Sequence, residues 1–219
     1  MKHLIIIGVG GFAREVYWHA QNSIGYGVDW DIKGFLDGDI KLPKEEYNKL
    51  ELPVLGDIDN YITEPDDVFT CAIASSSVRK KLINKLQFCP SNVNKESEVE
   101  FINLIHKSVK ICPNAILGKG CLLCPNVGVS DHVSIGDFTI INSGTGIGHD
   151  TVIGSYCDIM GGVSITGNVI INNFVYVGTG AIFVPHVKIG ERAFIGAGSV
   201  VLKKVNPDKK VFGNPAMEI

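Results

Sequence analysis

Residues 133–154 read VSIGDFTIINSGTGIGHDTVIG, with isoleucine at 135, 141, 147 and 153. Stepping by six in both directions gives Ile111, Leu117, Leu123, Val129, Ile135, Ile141, Ile147, Ile153, Ile159, Ile165, Ile171, Val177, Phe183, Ile189, Ile195 and Val201, sixteen bulky apolar residues in unbroken register. Two residues before each stands a smaller one, running from Ala115, Cys121, Val127 and Val133 through Thr139, Thr145 and Thr151 to Ser199. Period six fits neither a helix face nor a surface strand, but i and i−2 share one face of a strand. Each unit is therefore a short strand with two inward side chains and then a bend. Three units close an 18-residue triangular coil, which predicts a parallel β-helix of about five coils.

Stepping by 18 stacks like corners. Gly118, Gly136, Gly154, Asn172 and Gly190 share one corner, and Gly and Asn are the residues that tolerate positive φ. Two positions on, Phe138, Tyr156 and Phe174 form an outward aromatic column, taken as structural stacking rather than a cofactor box. Between Ile111 and Val201 only eight residues are charged: Lys119, Asp131, Asp137, Asp150, Asp158, Lys188, Glu191 and Arg192. Faces so poor in charge suggest burial against other subunits and a closed cyclic oligomer.

Residues 1–106 carry a different signal. Leu4–Ile7, Ile32–Leu36 and Val68–Ala74 read as strands, Arg14–Ala20 and Ser77–Gln87 as helices, and Phe101–Ile105 as a last strand. Lys41–Pro53 and Pro90–Glu98 read as surface loop or linker. This alternation means a small α/β domain with a parallel sheet. Its crevice lies at the carboxyl ends of the strands, where Gly10, Gly11, Asp37 and Ser75 converge. Gly8, Gly10 and Ala13 fit G-x-G-x-x-A with Asp37 ending the next strand, as in nicotinamide-binding folds. About a hundred residues hold only half of such a sheet, so the turn more safely marks a phosphate or sugar group at a helix N-terminus. A glycine turn that merely packs strand on helix is the plain alternative. The expected division is 1–106, 107–202 and a tail at 203–219.

Composition narrows the class. The 219 residues carry net charge −3 with no block of like charge, against a nucleic-acid partner. The longest apolar runs are too short for a membrane span. Six scattered cysteines without a secreted-type framework read as cytoplasmic and reduced.

The repeat places polar residues in space, since coils stack at about 4.8 Å. One outer column runs Asp131, His149, Gly167, Pro185 and its neighbour His132, Asp150, Asn168, His186. His149 thus has Asp150 beside it, Asp131 below and the Gly167 backbone above. Nearby carboxylates orient an imidazole for general-base work, and a free N–H near Gly167 would stabilise an oxyanion. A metal is not expected, because His132 and His186 stand about 14 Å apart at that spacing, too far to share one ion. Cys121, Cys124 and Cys157 read as structural, and His3, His19 and His106 as surface.

The [LIV]-G steps Ile135-Gly136, Ile153-Gly154, Ile189-Gly190 and Ile195-Gly196, the segment Gly8-Val9-Gly10-Gly11-Phe12-Ala13-Arg14-Glu15-Val16, Phe35-Leu36-Asp37 and Gly213-Asn214-Pro215-Ala216 carry a resemblance. Together they resemble the sialic acid O-acetyltransferase (NeuD) family, left-handed β-helix hexapeptide acyltransferases that include the PglD-type nucleotide-sugar N-acetyltransferases. The resemblance implies an α/β + β chain: a small Rossmann-like parallel-sheet domain, then a left-handed parallel β-helix. It implies a homotrimer that binds acetyl-CoA, uses no metal, and acetylates a sugar, above all the amino group of a nucleotide-linked amino sugar in bacterial surface-glycan biosynthesis. By resemblance His149 is the base and Asp150 its partner. Gly167, Gly178, Thr179, Gly196 and Ala197 lie along the cofactor, and Gly10, Gly11, Asp37, Ser75, Asn142 and Asp158 along the substrate. Asp158 stands where a second histidine is frequent, Phe12 where some members have histidine, and Gly38 where a second aspartate occurs. The alternatives are O-acetylation of a sialic acid or related sugar, a nicotinamide-binding oxidoreductase, and a non-catalytic solenoid scaffold.

Overall fold

A computed structural model describes residues 1–38, 43–89 and 99–219. They form two compact units, Met1–Leu104 and Ile105–Ile219.

In the first unit, β1 (Lys2–Ile7), α1 (Gly11–Gln21), β2 (Trp30–Asp37), α2 (Lys44–Tyr47), β3 (Val54–Asp57), β4 (Asp67–Cys71), α3 (Ser76–Gln87) and β5 (Glu100–Phe101) follow in order. The strands make one parallel sheet, β3-β2-β1-β4-β5. Central β1 is an unbroken aliphatic run because both of its faces are covered; Leu4, Ile5, Ile6 and Ile7 are all fully buried. Ala13, Val16 and Ala20 form the buried stripe of α1, and Leu82, Ile83 and Leu86 that of α3.

Several boundaries differ from the sequence reading. Helix α1 starts at Gly11 rather than Arg14, since extended Gly10 caps it. Strand β4 ends at Cys71 because the chain turns at Ile73–Ser75 into α3. The stretch read as loop over Lys41–Pro53 contains α2, and the unread β3 pairs with β2 directly after it. Phe101–Ile105 is not one strand: Glu100–Phe101 closes the first sheet, whereas Leu104–Ile105 opens a sheet of the second unit. Pro90–Glu98, read as a linker, lies outside the described residues.

The second unit is a left-handed parallel β-helix of two-residue strands. Its faces are a six-stranded sheet from Lys110–Ile111 to Val200–Val201, a five-stranded sheet from Ile116–Leu117 to Lys188–Ile189, and an eight-stranded sheet. Consecutive coils pair at an offset of 18, as in Ile141 with Ile159 and Ile147 with Ile165. The hexad positions Leu123 through Val201 are nearly all buried as one aliphatic column. Residues beyond 202 add Lys210–Phe212 and an antiparallel Met217–Glu218 to the eight-stranded face.

The corners correct one expectation. Gly118, Gly136, Gly154 and Asn172 are not the left-handed residues; positive φ falls two positions later, on Gly120, Phe138, Tyr156 and Phe174 (φ 66, 54, 58 and 59). The glycines serve close approach instead. A Cβ on Gly136 would lie 2.6 Å from the Ser155 backbone nitrogen of the next coil. The left-handed aromatics stack in register, Phe138 on Tyr156 at 5.3 Å and Tyr156 on Phe174 at 5.2 Å between centroids, which offsets the cost of their backbone conformation. A second column, Tyr176 and Phe194 at 4.6 Å, runs on to Phe212 and was not read from the sequence.

Candidate active site

His149 and Asp150 occupy the corner between the six-stranded and five-stranded faces, after Gly146–Ile147 and before Val152–Ile153. Asp150 takes the left-handed turn position (φ 56), which aspartate tolerates better than most residues. From there its Oδ2 stands 2.7 Å from His149 Nδ1. A carboxylate only accepts, so Nδ1 carries the proton and the neutral ring keeps its lone pair on Nε2. That edge of the ring lies over the next coil, where a Cβ on Gly167 would meet His149 Cε1 and Nε2 at 2.7 Å. Gly167 is thus the floor under the base. Asp131 does not face His149 as expected: its carboxylate goes to His132 Nδ1 at 2.8 Å and to Asn114. These contacts, with Asn114 foremost, hold it below the usual carboxylate range.

The same corner exposes an amide. At a neighbouring corner the equivalent N–H groups are capped by the side chain one coil on: Lys119 N–H donates to Asp137 Oδ1 at 2.9 Å and Ser155 N–H to Asn173 Oδ1 at 2.8 Å. In the His149 column the corresponding residues are Gly167 and Pro185, which have no side-chain acceptor. Gly167 is half-buried, and among the described residues nothing accepts from its N–H. An open donor beside an imidazole lone pair is what a developing oxyanion requires. The adjoining six-stranded face, floored by Gly128, Gly146 and Ser164, holds a shallow groove of about 710 Å³ that reaches Gly148.

The other expected residues lie elsewhere on the prism. Asn142 follows Ile141 at the opposite margin of the six-stranded face, with Nδ2 3.4 Å from Ile159 O. Asp158 is buried on the eight-stranded face between Ile140 and Tyr176. One chain therefore does not bring His149, Asn142 and Asp158 together. Thr179 and Ala197 are exposed on the same edge as Asn142. Gly178 and Gly196 beneath them are buried, leaving room for the Ala197 backbone and the Phe212 ring respectively.

In the first unit the structure does gather Gly10, Gly11, Asp37 and Ser75, which line a pocket of about 300 Å³ with Phe12 and Gly38. Asp37 Oδ2 accepts from the Tyr47 hydroxyl, while its Oδ1 is buried and finds no partner among the described residues. Tyr47 was not found by sequence reading, because nothing ties a residue of an apparent loop to a strand end ten positions earlier. The six cysteines are free and all but Cys112 are buried. Burial pushes the Cys71 thiol up to about 12. Cys157 donates inward to Asn172 O at 3.0 Å. His3 pairs with Asp31 and His106 with Ser108. Among the described residues no three metal-ligating side chains come together, and no helix is long and apolar enough to cross a membrane.

Comparison with known proteins agrees with this anatomy. Residues 3–86 match the PglD N-terminal domain and residues 168–203 the bacterial transferase hexapeptide repeats. The chain is similar in structure to PerB from Caulobacter crescentus, solved with CoA and GDP-perosamine (26% identity, TM-score 0.84, all of this chain and 98% of that one). It is also similar to WeeI from Acinetobacter baumannii AYE (28%, TM-score 0.82, both chains covered in full). A third likeness is the acetyltransferase domain of PglB from Neisseria gonorrhoeae FA1090 with acetyl coenzyme A (25%, TM-score 0.84, all of this chain and 99% of that one). By sequence it is 29% identical over 139 residues to the uncharacterized protein L142 of Acanthamoeba polyphaga mimivirus, spanning 64% of this chain and about a quarter (24%) of that protein.

Proposed function

We propose that the chain is a PglD-like hexapeptide acyltransferase, as its matches to the PglD N-terminal domain and the hexapeptide repeats support, and that it transfers the acetyl group of acetyl-CoA to the amino group of a nucleotide-linked amino sugar in glycan biosynthesis. The observation that carries the reading is the Asp150–His149 pair poised over Gly167 with an uncapped N–H beside it. His149 Nε2 takes the proton of the attacking amine as its nitrogen bonds to the thioester carbon. Gly167 N–H donates to the oxygen that becomes negative. As the carbon–sulfur bond breaks, His149 returns the proton to the departing CoA thiolate, so charge and protons balance. Asp150 holds the ring and stabilises its charged form.

Residues 107–202 supply the acyl site and residues 1–106 the nucleotide-sugar pocket, with the tail at 203–219 packing on the last coils. Gly10, Gly11, Asp37 and Ser75 meet the nucleotide part, supported by the buried Asp37 Oδ1, which has no partner among the described residues and suits an N–H or O–H donor. Thr179 and Ala197, held by Gly178 and Gly196, guide the pantetheine arm. Their edge and the His149 edge bound opposite sides of one face, as do Asn142 and His149. A homotrimer would set the His149 edge of one copy against the Thr179 edge of the next, and place Asn142 and Asp158 near the acceptor. Exposed Ile116 and Val152 on the five-stranded face support such burial. Free cysteines throughout are in keeping with a reducing cytoplasm.

The test is CoA release with UDP-, GDP- and dTDP-linked 4-amino sugars, with light scattering for a mass three times that of the chain. His149→Ala should lower turnover by about 10²–10⁴ while acetyl-CoA still binds. An unchanged rate would remove His149 from the chemistry. An alkali-labile ester product would turn the reading to O-acetylation.

A further inference from the structure

One whole coil carries threonine at all three of its smaller inward positions. Thr139, Thr145 and Thr151 are buried to 1% exposure or less. Each hydroxyl bridges to the next coil: Thr139 Oγ1 donates to Gly154 O at 2.8 Å, Thr145 Oγ1 to Met160 O at 3.0 Å and Thr151 Oγ1 to Thr166 O at 3.0 Å. Thr151 Oγ1 also accepts from Val169 N–H at 3.3 Å. In the column that holds Thr151 the other residues are Ala115, Val133, Val169 and Val187, none of which has a donor. Along this inward column only the coil that bears His149 carries a hydroxyl.

The carbonyl that Thr151 grips is half of the peptide unit whose N–H belongs to Gly167. A trans peptide is planar, with C=O and N–H pointing in opposite directions. Holding Thr166 O inward therefore turns Gly167 N–H outward, to the side where His149 Nε2 lies over the Gly167 Cα. A hydrogen bond accepted by the carbonyl also polarises the unit and strengthens its N–H as a donor. We propose that Thr151 is a positioning residue for acyl transfer: its buried hydroxyl locks the Thr166–Gly167 peptide so that the amide is presented beside the base. This rests on the acyl-transfer reading above. Thr151 touches neither substrate and acts only through that peptide.

The fold supplies its own control. Thr139 makes the same bond to the Gly154–Ser155 peptide, but there the outward N–H is already capped by Asn173 Oδ1. Thr151→Val and Thr139→Val remove the same hydroxyl from equally buried corners and should lower the melting temperature alike. Only Thr151→Val should lower kcat, by about 10- to 100-fold, less than outright loss of an oxyanion donor. The KM for acetyl-CoA and the pH profile of kcat should stay at wild-type values, because His149 is untouched. Thr151→Ser should restore most of kcat. If Thr151→Val does not fold, Thr151→Cys carries the test. Cys157 occupies an equivalent inward position and donates to a carbonyl, so a thiol fits there, and kcat should fall severalfold while Thr139→Cys keeps the wild-type value. Equal kcat in the two valine variants, or no recovery with serine, overturns the assignment of Thr151. A wild-type protein that releases no CoA with any acceptor overturns the acyl-transfer reading itself.

Discussion

Replacing Gly167 by alanine separates the site from the scaffold. The added Cβ would lie 2.7 Å from Cε1 and Nε2 of His149, where ordinary contact begins at 3.4 Å. The imidazole must retreat by about 1 Å, a displacement that costs on the order of 10²-fold when it misplaces a catalytic group. The side chain of His149 is 63% exposed and can swing into solvent, and Gly167 has no left-handed φ to forbid alanine. Stability should therefore change by less than about 1 kcal/mol. Gly136→Ala is the counterpart. Its Cβ would meet backbone of the next coil at 2.6 Å, which cannot rotate away, and overpacking of that kind costs about 1–3 kcal/mol. The assay pairs CoA release under saturating acetyl-CoA with thermal unfolding. Gly167→Ala should lose about two orders of magnitude in kcat at an unchanged melting temperature; Gly136→Ala should melt several degrees lower and keep its kcat per folded chain. A Gly167→Ala enzyme with wild-type kcat would refute the placement of the base, and one that melts with Gly136→Ala would show that Gly167 serves packing alone.

Asp37→Ala removes the carboxylate that lines the pocket of the first unit; kcat/KM for the nucleotide sugar should fall about 10- to 100-fold, the scale of a hydrogen bond to a charged group, with KM for acetyl-CoA unchanged in steady-state kinetics. Lys33→Met should destabilise the protein by about 3 kcal/mol in urea titration, because it leaves the fully buried Asp67 without its ammonium partner. Burial pulls Lys33 down, but Asp67, Glu64 and Tyr61 outweigh it and hold the ammonium above the ordinary lysine range. A raised cation contributes in full below the unfolded lysine value and loses that contribution only as pH climbs through the folded one. The wild-type minus Lys33→Met difference should thus be flat from pH 6 to about 10 and shrink only above it. Of the six thiols only Cys112 is not buried, so native protein should show one fast-reacting thiol per chain with a disulfide reagent, lost in Cys112→Ser.

The sixteen-position apolar register determined the β-helix from sequence alone, because a two-residue strand leaves each inward side chain one place to go and any slip would expose the column. The same register placed His149, Asp150 and Gly167 at one corner, and the strand-end logic of a parallel sheet gathered Gly10, Gly11, Asp37 and Ser75 in one pocket. Local pairing within two-residue strands escaped it: Phe101–Ile105 divides between two sheets, and β3 lies behind a stretch too polar to announce a strand. Directions of side chains and peptides were decided only in three dimensions. Asp131 turns to His132 rather than His149, Asn142 and Asp158 lie away from the base, and Tyr47 reaches Asp37 from a helix read as loop. The hydroxyl of Thr151 belongs to this group too, since whether a buried threonine braces a particular amide depends on which carbonyl the next coil sets over it. Periodicity records where a side chain starts; its partner is chosen by the coil stacked above.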